Sequence, residues 1–213
     1  GFARSEACGA VALGGDMVAG GPGVCGSAVR QDGRSASLTA PNGQAQQYLL
    51  LASLAEAGVA AANLALVEAH GTGTVLGDPI EVGSLSTAVL ASRGGVVEGP
   101  LALGGVKANV GHAEPAAGMV GLLHAASELH GNEVTLNAHL RVLNAHAGER
   151  LRSVACGLPV QCAGGVLGCG GISSFGYSGT IAHAVLRPCA DRLVARPPRS
   201  RLVYRRRHLY TCL

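Results

Sequence analysis

Apolar positions along this chain fall into short runs that stop abruptly at glycine or polar residues. Leu64–Val67 is such a run, of the length a buried strand takes. Glu68, His70, Thr72, Thr74 and Asp78 follow it, with Gly71, Gly73 and Gly77 between them. From Pro79 to Leu85 the pattern predicts a helix, with Asp78 as N-cap, Pro79 at the first helical position and Glu81 at capping-box spacing. The same order recurs downstream. Leu101–Val106 predicts a strand, 107–115 (KANVGHAEP) a polar loop, and Ala116–His130 a helix stopped by Gly131. Gly118 and Gly121 lower that helix's propensity, so it is expected to be buried and closely packed.

The flanking segments are simpler. Gly1–Gly14 reads as an entering strand and Gly20–Arg30 as another. Gln31–Gly43 is rich in turn residues and predicts a long loop. Gln44–Ala57 carries apolar residues near helical spacing and ends at Gly58. Val134–Leu140 fits a loop or short strand, and Asn144–Gly157 has no clear period. Val160–Gly165 is expected to pair with Gly168–Ser174. Gly176–Gly179 is a turn, and Ile181–Leu186 a terminal strand. Strands alternating with helices place the chain in the α/β class with a parallel-rich sheet. From Arg187 to Leu213 there are three prolines, eight arginines and no period. This stretch is expected to be a tail outside the fold.

Composition narrows the functional classes. The chain has 213 residues, 48% of them hydrophobic, enough for one domain with a sizeable core. No apolar run reaches the ~18 residues of a membrane span. The net charge of +3 conceals −4 over residues 1–186 and +7 over residues 187–213. A basic tail can meet nucleic acid or an anionic surface, but a solvated extension is the simpler reading. Aromatics make up 3% and tryptophan is absent, so few residues can stack on bases. Seven cysteines contain no C-x-x-C pair, which argues against zinc. Their odd number, with no secretory signal before them, points to reduced thiols in the cytoplasm. The chain starts at Gly1, not Met, as a piece of something longer would, and its targeting information could lie outside it.

The two polar loops hold the candidate chemistry. His70 stands at the carboxyl end of a strand, where open α/β sheets place ligands. The first loop offers His70, Thr72, Thr74 and Asp78, and the second offers Lys107, Asn109, His112 and Glu114. Lys107 is the only lysine among sixteen basic residues, which suggests a need for a compact ammonium. Two neutral imidazoles with converging Nε2–H groups can hold an oxyanion, and one can move a proton near neutral pH. Lys107 can anchor Glu114 or adjust the charge of the histidines. His124, His130, His139 and His146 read as surface or helix-face residues.

At these residues the sequence resembles a known family. VEAHGTGTVLGDPIEVGSL, GGVKANVGHAEPAAGMVGLLHAA and SSFGYSGTIAHAVL are similar to three signatures of β-ketoacyl synthases, those of modular polyketide synthases and type I fatty acid synthases. GSAVRQDGRSASLTAPNGQAQ resembles the segment between their two halves, and GFARSEACGAVAL the strand that ends their first half. The resemblance implies a thiolase-like fold. Residues 1–40 would be the end of the first half and the inter-half segment, 41–186 the carboxyl-terminal half, and 187–213 the tail. That half would be a five-stranded mixed sheet with helices on both faces, in a protein that is usually a homodimer.

It also implies an acyltransferase that performs decarboxylative Claisen condensation between an acyl thioester and malonyl-type acyl carrier protein. The substrates ride on the carrier's phosphopantetheine, and the enzyme binds no cofactor or metal of its own. His70 and His112 would stabilise the enolate, with Lys107 and Glu114 beside them. Thr72 and Thr74 would bind the phosphopantetheine arm, and Phe175 and Tyr177 would border the acyl pocket. Tyr177 stands where the family usually has Phe, and Ile181 where it usually has Asn, a loss expected to loosen the nearby loops. The family's nucleophilic cysteine lies in a DTACSS-like stretch that does not occur here. Cys8 is expected to be a buried, unreactive thiol. The chain is therefore expected to be inactive alone. Two other readings compete: a non-catalytic module that binds carrier protein or dimerises, and a nucleic-acid binder acting through the tail.

Overall fold

The computed structural model describes residues 2–15, 21–35, 37, 40–93, 99–138, 140–152, 154–165 and 168–188. His139 and all but the first two residues of the expected tail lie outside them. The elements are β1 (Gly23–Gln31), α1 (Gly43–Ala57), β2 (Leu64–Glu68), α2 (Gly77–Ala88), β3 (Leu101–Gly104), α3 (Lys107–Val110), α4 (Ala117–Gly131), β4 (Glu133–Val134), α5 (Ala145–Leu151), β5 (Cys156–Gly157), β6 (Ala163–Gly164), β7 (Cys169–Phe175) and β8 (Thr180–Arg187). α1 ends at Gly58 as its sequence foretells and begins at Gly43, inside the stretch expected to be loop. Asn42 accepts from the backbone of Gln44 and Ala45, and Gly58 closes the helix with a left-handed backbone, φ 60°.

Six strands form one mixed sheet in the order β1-β8-β7-β2-β3-β5. β7, β2, β3 and β5 run parallel, while β8 is antiparallel to β7 and β1 to β8. Glu68 at the end of β2 pairs with Gly104 on one side and Ile172 on the other. The chain segments after β2, β3 and β7 therefore leave the sheet at the same edge. This register decides where the site forms.

Helices cover both faces. α1, α2 and α5 pack Leu50, Leu54, Val82, Leu85, Ala147 and Leu151 against Leu64, Val67, Leu101 and Val185. On the other face Ala125 and Leu129 of α4 meet Leu66, Ile172 and Leu186. Leu64 and Val67 share a face despite their odd spacing because the pairing register shifts between Leu64 and Leu66. Each fully buried leucine, such as Leu101, contributes about 2 kcal/mol. α4 lies close because it is notched. A methyl group on Gly118 would come within 2.8 Å of the Ser174 hydroxyl, and one on Gly121 within 3.3 Å of Glu68. Only one face of α4 is buried, however, and Leu123 is exposed.

Several expectations are corrected. Residues 2–15 form no strand; their one sheet-like link is an isolated bridge between Arg4 and His112. The apolar alternation there leaves Val11 and Leu13 exposed, because no described strand lies alongside. Cys8 is exposed, not buried. Ala163–Gly164 pairs with β4, whereas β7 is taken into the main sheet between β2 and β8. The stretch without a period contains α5, capped by the Asn144 side chain on His146 N. Its seven residues are too few for a repeat to show. The second polar loop winds into one helical turn, α3. The mixed sheet gains a sixth strand, the two-residue β5. β1, from the stretch before residue 41, is an edge strand of this same sheet. Ile181 is fully buried in β8 opposite Phe175, so the apolar side chain packs into the sheet.

Candidate functional site

The loop after β2 is tied down by the helix that follows it. Gly71 and Gly73 adopt positive φ (47° and 74°), which turns the chain and strips its amides of strand partners. Glu81 of α2 supplies partners: its carboxylate accepts from His70 N at 2.7 Å and Gly71 N at 2.9 Å. Asp78 Oδ1 accepts from Gly73 N at 3.1 Å and Thr74 N at 3.3 Å. Thr74 Oγ1 accepts from Gly77 N and lies 3.4 Å from the Thr72 hydroxyl. The capping expectation is thus corrected. α2 begins at Gly77 with no side-chain cap, and both acids turn back to the loop, where four amides need acceptors. Burial raises the Glu81 carboxyl to about 7 against the pull of those two amides, and burial raises Asp78 too.

The loop after β3 is tied to remote segments. Val106 N donates to Glu68 Oε1 at 2.7 Å just before Lys107 opens α3. Asn109 fastens α3 sideways, accepting from Ala138 N and donating to Leu136 O. His112 lies against the start of the chain: its N–H donates to Ala3 O at 2.8 Å, and Ser5 N donates to its carbonyl at 3.0 Å. The Phe2 ring stands 4.8 Å from the imidazole. Glu114 has a left-handed backbone, φ 46°, and its N–H donates to His112 Nδ1 at 3.0 Å. Its carboxylate pairs at 3.0 Å with Arg4, both side chains exposed.

Parallel neighbours β2 and β3 bring the two histidines together, ring centroids 5.8 Å apart and nearly perpendicular. Phe175, at the end of β7, lies 5.4 Å from the His70 ring, and its N–H donates to His70 Nδ1 at 3.3 Å. Both imidazoles thus accept a backbone N–H at Nδ1. A neutral ring bound this way carries its proton on Nε2 and presents it as a donor. Burial, then the Lys107 and His112 charges, push His70 down to about 3. Burial and Lys107 lower His112 as well, with Glu114 opposing. Lys107 is itself lowered by burial and partly restored by Glu68 and Glu81. The arrangement suits two neutral N–H donors beside a cation, which can bind a developing oxyanion. At a value near 3, His70 carries no imidazolium proton at neutral pH, which leaves Nε2–H as the group its ring can donate.

His70, His112, Lys107 and Phe175 are therefore assembled. Thr72 and Thr74 lie together on the first loop. Glu114 reaches His112 through its backbone, while its side chain faces Arg4. Tyr177 is 86% exposed in the turn after β7 and points to solvent. Sequence reasoning missed the acids that organise the centre. Glu68, 1% exposed, bonds Val106 N and His124 Nδ1 (3.1 Å). His124 Nε2 meets the Thr135 hydroxyl at 2.8 Å, and Glu128 accepts from Thr135 N and Oγ1. Glu68 and Glu128 raise His124 against the effect of burial. His124 is thus no surface residue. Its spacing of three from Gly121, on the notched face, and of four from Glu128 were the signals available.

Comparison with known proteins agrees with this architecture. The profile of the β-ketoacyl synthase C-terminal domain matches residues 23–141. A phenolphthiocerol/phthiocerol polyketide synthase of Mycobacterium tuberculosis is 45% identical over 175 residues, 81% of this chain and 8% of that protein. Erythronolide synthase EryA2 of Saccharopolyspora erythraea is 39% identical over 198 residues, 84% of this chain and 5% of that one. The oxazolomycin ketosynthase domain OzmH KS7 of Streptomyces albus superimposes with a TM-score of 0.72 at 34% identity, covering 79% of this chain and 30% of that one. A ketosynthase from module 6 of the bacillaene synthase of Bacillus subtilis gives 0.69 at 28% identity, covering 78% and 30%. The chain thus spans less than a tenth of these curated relatives and about a third of the solved ketosynthases. Its mixed sheet with helices on both faces is a carboxyl-terminal portion of their thiolase-like fold. By profile, relatives and structure alike, the chain belongs to the β-ketoacyl synthase family, as its C-terminal domain.

Proposed function

We propose that this domain supplies the decarboxylation half of a ketosynthase site, in a reaction that condenses an acyl thioester with malonyl-type acyl carrier protein. His70 and His112 donate Nε2–H bonds to the thioester oxygen as carbon dioxide leaves and the enolate forms. Lys107 holds both rings neutral and adds positive potential. Thr72 and Thr74 meet the phosphopantetheine arm, and Phe175 borders the acyl chain, which the exposed Tyr177 would reach only by turning inward from its turn. Glu114 serves by its amide, which fixes the His112 tautomer. The observation that carries this reading is the pair of imidazoles 5.8 Å apart, each with Nδ1 occupied by a backbone N–H.

Covalent acyl transfer needs an activated nucleophile. None of the seven cysteines lies in a stretch like that of the family nucleophile. Burial raises Cys156 to about 11 and raises Cys169 too, which keeps both thiols protonated. The chain alone is accordingly expected to form no acyl-enzyme and to be inactive in condensation, with decarboxylation the one step left to it. The test is carbon dioxide release from malonyl-loaded acyl carrier protein by the full chain. His70→Ala and His112→Ala should each cut the rate by about 10² or more. Unchanged rates in both variants would overturn the assignment. Carrier-protein binding without any release would favour the second reading, a non-catalytic binding module, which the lack of a family-type cysteine supports.

A further inference from the structure

The turn into Lys107 rests on a buried chain of polar groups that the chemistry proposed above does not use. Glu68 bonds through both oxygens: Oε1 accepts from Val106 N at 2.7 Å, and Oε2 lies 3.1 Å from His124 Nδ1. His124 Nε2 lies 2.8 Å from the Thr135 hydroxyl, and that hydroxyl donates to Glu128 Oε1 at 2.8 Å.

Counting protons along this chain sets the state of the ring. A carboxylate oxygen only accepts, so His124 Nδ1 must donate to Glu68. A hydroxyl has one proton, and Thr135 gives its own to Glu128, so Nε2 must donate as well. Both ring nitrogens carry hydrogen only in the imidazolium. The titratable groups that face the ring are Glu68 from β2 and Glu128 from α4 itself, 1% and 5% exposed. The segment after β4 brings the Thr135 hydroxyl, and Lys107 stands beyond Glu68, which supports its charge. Burial opposes a cation here, yet the two carboxylates carry the group above its ordinary 6.5. Losing the proton breaks the chain. Either Nδ1 stops donating to Glu68, or Thr135 turns its proton from Glu128 to Nε2.

We propose that His124 is a positioning residue: as an imidazolium it fixes the Glu68 carboxylate, and Glu68 in turn fixes the Val106 amide and the turn into Lys107. It acts from α4, not from either histidine loop. Its grip is full at low pH and fades as pH rises past 6.5 and through the raised folded midpoint. The effect on rate rests on the decarboxylation proposed above, whereas the effect on the turn does not.

The test follows the His124 ring nitrogens and the Val106 amide by NMR of the full chain, from about pH 5 to 9. Both nitrogens should show the imidazolium shift at pH 6.5 and lose it only above that value. The Val106 amide shift should step with the same midpoint. His124→Lys keeps a cation beside Glu68 that titrates far higher, so the step should vanish there. A neutral ring at pH 6.5, or an equal Val106 step in His124→Lys, would overturn the proposal. The ring measurement needs no variant, so it decides even if His124→Lys folds poorly. Carbon dioxide release from malonyl-loaded acyl carrier protein should fall about five-fold across that midpoint in the parent chain, and His124→Lys should flatten the fall. Identical pH profiles in the two chains would also overturn the positioning role. No release from either chain would sink the decarboxylation reading instead, and the ring and amide shifts would still decide this one.

Discussion

The loops after β2 and β3 leave neighbouring parallel strands, carry one histidine each and end in the same cleft. They are held by opposite strategies. The first is closed within its own strand–loop–helix unit, because Glu81 and Asp78 lie within eleven residues of every amide they bind. The second is closed by contacts from Ala3 and Ser5, more than a hundred residues away in sequence, and from Glu68 on the adjacent strand. One histidine is placed by local chemistry and the other by assembly of the whole domain. His70 is accordingly the more deeply set and the more strongly depressed of the two.

Breaking the local closure should have the largest effect. Glu81→Leu leaves the amides of His70 and Gly71 without acceptors and is expected to lower unfolding free energy by about 3 kcal/mol, measured by urea denaturation. Glu81→Gln sharpens the point through pH. The folded carboxyl sits at about 7 against an ordinary 4.5, so between those values the folded state holds a proton that the unfolded state has lost. The Glu81 contribution to stability is therefore full below about 4.5 and declines as pH rises to about 7. The stability difference between the parent and Glu81→Gln should fall across that window. A constant difference would show that the group is not shifted.

Loosening the remote closure should cost less. Ser5→Pro removes the donor to the His112 carbonyl and is expected to cost about 1 kcal/mol. Hydrogen exchange should speed up at His112 and Glu114 while Gly71 stays protected. Equal loss at both loops would mean that they form one cooperative unit and the contrast fails. The smallest effect is expected from Glu114→Ala. Its ion pair with Arg4 is exposed, worth a few tenths of a kcal/mol. The backbone donor to Nδ1 survives, so the ring ¹⁵N shifts of His112 should still report the Nε2–H form. A change of tautomer would show that the carboxylate, not the amide, directs the ring.

What the residue order makes legible follows the same division. The β2–loop–α2 unit is legible because its apolar run, its glycines and its acids lie within one stretch of about twenty residues. The direction of the acids is not. Asp78 and Glu81 have the spacing of a cap, and only the positive-φ path of Gly71 and Gly73 shows that the loop amides are the better partners. Glu68 is visible as a polar residue closing a buried strand, but its partners lie just after β3 and on α4. Residues 2–15 resemble a strand because alternation describes a side-chain pattern, whereas a strand also needs a neighbour with free backbone groups. α5 is too short to show a period at all.

Local physics in the chain was enough to set the ends of α1 at Asn42 and Gly58, the two glycine-broken loops, and the residue types from which an oxyanion site can be made. Those depend on backbone freedom and on side chains a few positions apart, which order along the chain specifies. Assembly chose that β2, β3 and β7 lie parallel, with their carboxyl ends on one side of the sheet. It chose that Glu68 sits under the turn that opens into Lys107, and that Ala3 and Ser5 meet His112. Such pairings are settled between segments far apart in sequence, by which buried donors and acceptors find one another when the layers close.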